Sequence, residues 1–240
     1  MPFNPLTKLE YAKDKGQIPN AVYQLIIKRF HIVADGISRI EKASGLDYPS
    51  YYVEPSLVIT TSKVEDGQFG IFFARTVPII GEDNHLNFVV QLTAPLIAYG
   101  LVGSIHAILA HELMHYLSLI SRVLKMNVIS EEIPESLFEE KYRDFEHLLE
   151  ARVIFKHDRS LINHIDKKFP EGFTDPRMEE KVLEHWMNKH LPTTILPIDA
   201  NIVRIPIELM AKLQVDQVIR EKIIQFENTK VRSKKSSDYV

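Results

Sequence analysis

The sequence predicts an α+β fold in which a small sheet follows a long N-terminal helix and precedes a helical C-terminal part. Apolar residues recur at helical spacing over residues 21–43 and stop before Gly45, which predicts the long amphipathic helix. Three runs rich in β-branched residues follow at 56–61, 69–76 and 86–92, with turn residues between them. These runs predict a sheet of at least three strands.

Helical patterns fill the chain after the strands. Ser104 is the expected N-cap of a helix that ends near residue 125. A second helix is expected over residues 135–156. Two further candidate helices, 176–189 and 206–227, are joined by a proline-rich link.

We divide the chain at residue 160. Residues 1–160 hold the first predicted domain, and residues 161–228 form a helical extension. Residues 229–240 are short, charged and rich in serine, so we expect a disordered tail there.

Composition limits the classes of function. The 240 residues carry a formal net charge of −3, and no face rich in Lys and Arg predicts nucleic-acid binding. The chain has no cysteine, so a metal would be held by His, Asp or Glu, and the cytoplasm is the expected compartment. Its first residues lack the pattern of a signal peptide. Residues 86–110 are uncharged, but their Pro, Gly, Asn and Gln content favours strand, loop and helix over a membrane span.

The chemistry is predicted at a His-Glu-x-x-His motif. His111 and His115 are four positions apart, which places both imidazoles on one face of a helix, with Cβ atoms about 5–6 Å apart. Two ring nitrogens at that separation can both reach a zinc ion at about 2.0–2.1 Å. Glu112 follows the first histidine, where its carboxylate can take a proton from a zinc-activated water. The motif predicts metal-assisted hydrolysis of a carbonyl compound such as a peptide.

The residues around the motif strengthen this interpretation. They are uncharged and typical of a core helix: Ile108, Leu109, Ala110, Leu113, Met114, Tyr116 and Leu117. Burying an unpaired carboxylate in such a helix costs several kcal/mol, which favours a functional reason for Glu112. The alternative is an incidental cluster of buried hydrogen-bonding side chains in a non-catalytic helical adaptor.

Residues 110–117, Ala-His-Glu-Leu-Met-His-Tyr-Leu, resemble the signature of the zincin metallopeptidases, including its apolar flanking positions. The resemblance implies a zincin-like fold and a zinc hydrolase with His111 and His115 as ligands and Glu112 as the general base. It also implies that the strand before the active-site helix, residues 86–92, is an edge strand that pairs with an extended substrate. The order of elements over residues 21–156 is similar to that of the compact archaeal minigluzincins.

The resemblance also frames the choice of a third metal ligand. Metzincins carry a further histidine six residues after the second one, where this chain has Ser121. Gluzincins take a glutamate from the next helix, which offers Glu139, Glu140, Glu146 and Glu150. On a helical wheel Glu140 points away from the core, and Glu139 lies at the solvent end. Of the other two we favour Glu150, because a small residue, Ala151, follows it as in several gluzincin families. Glu146 remains the alternative.

The sequence also suggests roles for other polar residues near the motif. His106 lies about 140° round the helix from His111, so a core or capping role is expected. The oxyanion formed during hydrolysis could be stabilised by one residue of a set that sequence alone does not separate: Tyr142, His147, Arg152, His157 and His164.

Together these features predict a zinc-dependent endo- or aminopeptidase that acts on a peptide or protein, with no nucleic acid or membrane partner. One alternative is a dedicated regulatory zincin that cleaves a single protein, such as a repressor. The other is the adaptor described above. We also expect the helices from Pro176 onward to cover the cleft without contributing to the core.

Overall fold

The computed structural model describes residues 4–61, 69–81, 85–129, 137–141, 149–170, 172–197, 202–210 and 212–237. Its helices are α1 (Thr7–Asp14), α2 (Asn20–Arg29), α3 (His31–Ser44), α4 (Ala94–Tyr99), α5 (Val102–Ile129), α6 (Ala151–Ile154), α7 (Arg159–Lys168), α8 (Pro176–Val182), α9 (Ile207–Met210) and α10 (Gln217–Ser237). Its strands are β1 (Tyr51–Glu54), β2 (Leu57–Thr61), β3 (Phe69–Phe72), β4 (Ala74–Ile80), β5 (Leu86–Thr93), β6 (Leu137–Lys141), β7 (Thr193–Leu196) and β8 (Ile202–Pro206). The mixed α+β class is confirmed.

The predicted long N-terminal helix is two helices, α2 and α3. They meet at Phe30, whose N–H bonds to the carbonyl of Ile27, three residues back, rather than four. Phe30 keeps helical dihedral angles, so the apolar spacing continues through the junction and hides it from the sequence. Gly45 ends α3 as expected, with a positive φ of 69° that favours glycine.

The described strands form two three-stranded sheets and a two-stranded ribbon. The first sheet has the order β1-β5-β4, with β1 parallel and β4 antiparallel to β5. The second sheet has the order β3-β2-β7, with β3 antiparallel and β7 parallel to β2. The hydroxyls of Ser56 and Thr194 lie 2.8 Å apart beside the parallel pair.

Two strand predictions are wrong. The run 69–76 was expected to be one strand, but it divides into β3 and β4, which belong to different sheets. The chain changes sheets at Phe73, whose carbonyl accepts hydrogen bonds from the N–H and the hydroxyl of Thr93. The run 86–92 was expected at the sheet edge, but β5 lies in the centre because β1 pairs with its other side. In the described part of this sheet, β4 is the edge strand next to α5.

The helix that carries the motif is longer than expected. α5 begins at Val102, so Ser104 lies inside the helix rather than at its N-cap. The Ser104 hydroxyl donates instead to the carboxylate of Asp175 at the start of α8. In the described parts of the chain, no helix is both long and apolar enough to cross a membrane.

The second helix predicted over residues 135–156 is wrong at its start and is helical only near its end. Leu137–Lys141 forms β6, which pairs antiparallel with β8, and the helix α6 begins only at Ala151. The apolar residues Leu137 and Phe138 fit a strand as well as a helix, and the pairing with a distant segment selects the strand. Residues 142–148 lie outside the described residues.

The C-terminal third contributes to the core. α8 continues into a π-helical turn, Leu183–Met187, whose Trp186 is fully buried and donates its indole N–H to the carbonyl of Pro192. The predicted helix 206–227 is wrong at its start, since Pro206 ends β8 and α10 begins at Gln217. The tail expected to be disordered from residue 229 is helical as far as Ser237. The domain division at residue 160 stays a prediction.

Candidate metal centre

The two histidines of the motif point toward each other from adjacent turns of α5. Their Nε2 atoms are 3.1 Å apart, and both side chains are buried, with 2% of His111 and 4% of His115 exposed. Two ligands of one tetrahedral zinc ion, each about 2.0–2.1 Å from the metal, lie about 3.3–3.4 Å from each other. The paired imidazoles therefore fit the first two positions of a zinc site.

α5 is placed deep in the molecule by close packing against α3. A Cβ atom on Gly36 of α3 would lie 2.7 Å from Cδ2 of His106 and 2.8 Å from a methyl of Leu109, so only glycine allows this approach. His106 has the expected core role, with Nε2 3.2 Å from the carbonyl of Ile32. Burial lowers the pKa of His106, and the positive charge of Arg39 lowers it further.

Glu112 faces the edge strand β4. Its Oε2 accepts a hydrogen bond of 2.9 Å from the hydroxyl of Thr76, and both side chains are buried. Tyr48 donates its hydroxyl proton to the carbonyl of Leu109 on α5 at 2.8 Å. Burial raises the pKa of Tyr48 well above its usual value, and the negative charge of Glu112 adds to this shift. The Thr76 hydroxyl thus holds the Glu112 carboxylate against β4.

An aromatic ring covers His111. Phe169, at the end of α7, stacks on the His111 imidazole with ring centroids 3.7 Å apart and planes 8° apart. Phe173 contacts Phe169 at 5.3 Å and Phe73 at 5.2 Å, centroid to centroid. These three phenylalanines form a cluster beside the motif that composition and periodicity did not reveal.

In the described part of the chain, two cavities reach the motif. The larger, about 270 Å³, is lined by His111 and by residues of α5, α6 and α7, among them Met114, Glu150 and Phe169. The smaller, about 30 Å³, is lined by His111, Glu112 and Phe169 together with residues of β3, β4 and α5. His111 and Phe169 are the residues that line both.

The described residues do not place a third metal ligand beside His111 and His115. Glu150 lines the same cavity as His111, but its side chain is exposed at the N-cap of α6, and no described group of three His, Asp or Glu side chains is close enough to hold a metal. Glu139 and Glu140 lie on β6, so the helical wheel that ranked the glutamates does not apply to them. Glu146 lies outside the described residues.

The residues predicted to stabilise an oxyanion lie in different places. Tyr142 and His147 lie outside the described residues. His164 bonds to the carbonyl of Ser160, and exposed His157 lines a different cavity near α10. Arg152 lines the larger cavity with His111, although 76% of its side chain is exposed and it pairs with Asp166 at 3.3 Å.

Ser121, at the metzincin ligand position, has a structural contact. Its hydroxyl donates to Oε1 of Glu227 at 2.8 Å, and Lys125 donates to the same oxygen at 2.7 Å. Both contacts attach α10 to α5. The serine therefore helps to dock the C-terminal helix.

A scan against protein-family models, a search of curated proteins and a search of solved structures each return no match.

Proposed function

We propose that this protein is a zinc-dependent metallopeptidase of the zincin type. The observation that carries the proposal is the 3.1 Å separation of the Nε2 atoms of His111 and His115, next to the buried carboxylate of Glu112. A buried pair of imidazoles beside a carboxylate matches the donor set and the base that zinc-assisted hydrolysis requires.

Each side chain has a distinct role in the proposed reaction. His111 and His115 hold the metal, and Glu112 accepts the proton of the attacking water and passes it to the leaving amine. Zinc, when bound, lowers the pKa of water and polarises the scissile carbonyl. Thr76 orients the Glu112 carboxylate through its hydrogen bond.

The substrate strand is proposed to pair with β4 rather than with β5. In the described sheet β4 pairs on one side only, with β5, so its other side presents backbone N–H and C=O groups to an extended chain. Thr76 lies on this strand, so the substrate would run past the carboxylate that its hydroxyl holds. The resemblance to zincins supports this arrangement.

Glu150 remains our choice for the third ligand, with Glu146 as the alternative. Glu150 is supported by its position in the cavity that also contains His111.

Metal content and three variants test the function. We expect about one zinc ion per chain, lost in both His111→Ala and His115→Ala. Glu112→Gln should keep the zinc and lower kcat/KM by about 10²–10⁴-fold, because only the base is removed. Protein that takes up no zinc at micromolar supply would contradict the proposal and favour the adaptor.

A dedicated protease that cleaves one partner is the second candidate. The stacking of Phe169 on His111 favours it, because a covered site acts poorly on general peptides. Digestion of a broad peptide library separates the two, since a general peptidase cleaves many members and a dedicated one cleaves almost none.

A further inference from the structure

The Phe169 ring lies on the boundary of both cavities at the motif. Phe169 and His111 line the larger and the smaller cavity alike, and the stacked contact of 3.7 Å leaves no room for another group between the two rings. While the rings are stacked, this face of the His111 imidazole is therefore closed to a substrate.

The turn that carries Phe169 is closed at its base. Lys168 Nζ lies 2.6 Å from Oδ2 of Asp175, and the N–H of Thr174 donates to the carbonyl of Lys168 at 2.8 Å. The hydroxyl of Ser104 donates to the same Asp175 oxygen, which ties the base of the turn to α5. Because these contacts fix the base of the turn, the Phe169 side chain can change position while α7 and α8 stay folded.

The Phe169 ring is held against the motif by contacts of modest strength. It stacks on His111 and contacts Phe173, which in turn contacts Phe73 before β4. Phe169 is only partly buried, and an aromatic pair contributes about 0.5–1.5 kcal/mol beyond the area that it buries. The cost of moving the ring off the imidazole is therefore small beside that of unfolding the core.

We propose that Phe169 is the specificity-determining residue of this cleft, and that a substrate reaches His111 and Glu112 only after the ring leaves the imidazole. Departure of the ring joins the two cavities into one cleft that passes both residues and Ala74 of β4. The substrate class is an extended, unstructured polypeptide segment, which can enter along the strand edge. This inference rests on the proposed function for its substrate, but not for its test.

A single thiol can measure the opening, because the chain has no cysteine. Ile108→Cys places it in the smaller cavity, at a position that is 3% exposed. In zinc-free full-length protein, we expect Phe169→Ala to raise the rate of maleimide labelling at this thiol by about tenfold, because the ring no longer competes with the reagent. Phe226→Ala is the matched control, since Phe226 is also buried but lies on α10 beside another cavity.

Equal labelling rates in the Phe169→Ala and Phe226→Ala backgrounds would overturn the inference. So would labelling of the Ile108→Cys protein alone at the rate of an unfolded chain. If Phe169→Ala does not fold, Phe169→Leu replaces it, and an intermediate rate is expected because the aliphatic side chain covers the site without stacking. Trp186 fluorescence reports whether each variant is folded, since this is the single tryptophan and it is fully buried.

Hydrolysis is a separate measurement. In the zinc-loaded protein without the added cysteine, Phe169→Ala should raise the cleavage of an unstructured protein at least severalfold, and Glu112→Gln in the same background should abolish it. Faster labelling without any cleavage would support the covering role of Phe169 and contradict the proposed peptidase. Cleavage that is unchanged by Phe169→Ala, with unchanged labelling, would overturn the covering role and leave the peptidase standing.

Discussion

The hydroxyl of Thr76 lies 2.9 Å from Oε2 of Glu112, and this contact joins the edge strand β4 to α5, the helix that carries the motif. The same hydroxyl lies 3.2 Å from the backbone carbonyl of Glu112. A carboxylate that is 95% removed from solvent needs donors to remain in place, and Thr76 supplies one from a second element. The strand that would bind substrate thus also orients the proposed base.

Thr76→Val should lower kcat by about 10–100-fold while zinc content and KM change little. Valine has the shape of threonine without its hydroxyl, and a hydrogen bond to a charged group contributes about 1.5–3 kcal/mol. Thr76→Ser should recover most of the rate because it keeps the donor. Thr93→Val is the control, since its hydroxyl is equally buried but donates to the carbonyl of Phe73. An unchanged kcat in Thr76→Val would show that other contacts orient the base.

Zinc affinity should identify the third ligand. We expect Glu150→Ala to weaken zinc binding by more than the roughly 10–100-fold typical of residues behind a ligand, and Glu146→Ala to weaken it less. Titration against a competing chelator measures both. Asp166→Ala is the control, because Asp166 lines the same cavity but pairs with Arg152 at the surface. The reverse order for the two glutamates would assign the ligand to Glu146.

Acid should weaken the link between α3 and α7. Arg39 holds Asp158 with two hydrogen bonds of 2.6 and 2.8 Å, and this pairing lowers the pKa of the Asp158 carboxyl below its usual 3.8. A carboxyl with a lowered pKa contributes stability above its unfolded pKa and loses it as the pH falls through the folded value. The contribution is therefore complete at neutral pH and declines below about pH 3.8.

Asp158→Asn should cost about 1–3 kcal/mol of unfolding free energy at pH 7, because it removes the ion pair and weakens the cap that Asp158 provides for α7. The difference from the parent should shrink as the pH falls below 3.8. Denaturant unfolding across pH measures it. Asp166→Asn is the matched control, since its exposed pair with Arg152 contributes little. A pH-independent difference would show that the charge on Asp158 plays no part.

Truncation before Pro176 should unfold the protein rather than activate it. Met178, Val182 and Trp186 are buried in the core, so the expectation that these helices do not contribute to it is wrong, while their cover of the cleft stays a prediction. Trp186→Ala should cost about 3–5 kcal/mol, while Leu183→Ala on the same turn, half-exposed, should cost far less. Thermal unfolding measures both. A truncated protein with an unchanged midpoint would contradict this account.

The motif could be found from the sequence because its geometry is local. The spacing of His111 and His115 specifies one helical face wherever the helix lies, and the apolar residues around them predicted their burial. The third ligand could not be found in this way. Its assignment depended on a helix over residues 135–156, and a segment such as Leu137–Lys141 becomes a strand only because Ile202–Pro206 pairs with it.

The edge strand and the aromatic cover were missed for the same reason. Which strand lies at an edge depends on the partner of β5, and that partner, β1, is a short segment whose four residues lack a clear alternation. Phe169 reaches His111 from the end of α7, and a single phenylalanine at a helix end has no sequence pattern that specifies its contact. Nonlocal contacts of this kind are visible only once the fold is known.

The pairing of β2 with β7 has a consequence for how the chain folds during synthesis. Ser56 and Thr194, which meet beside this pair, are 138 residues apart, so the second sheet cannot close until most of the chain has left the ribosome. Contacts of such long sequence separation form slowly and leave an unpaired strand exposed in the meantime. The nascent protein is therefore open to aggregation or chaperone binding at Leu57–Thr61 for most of its translation.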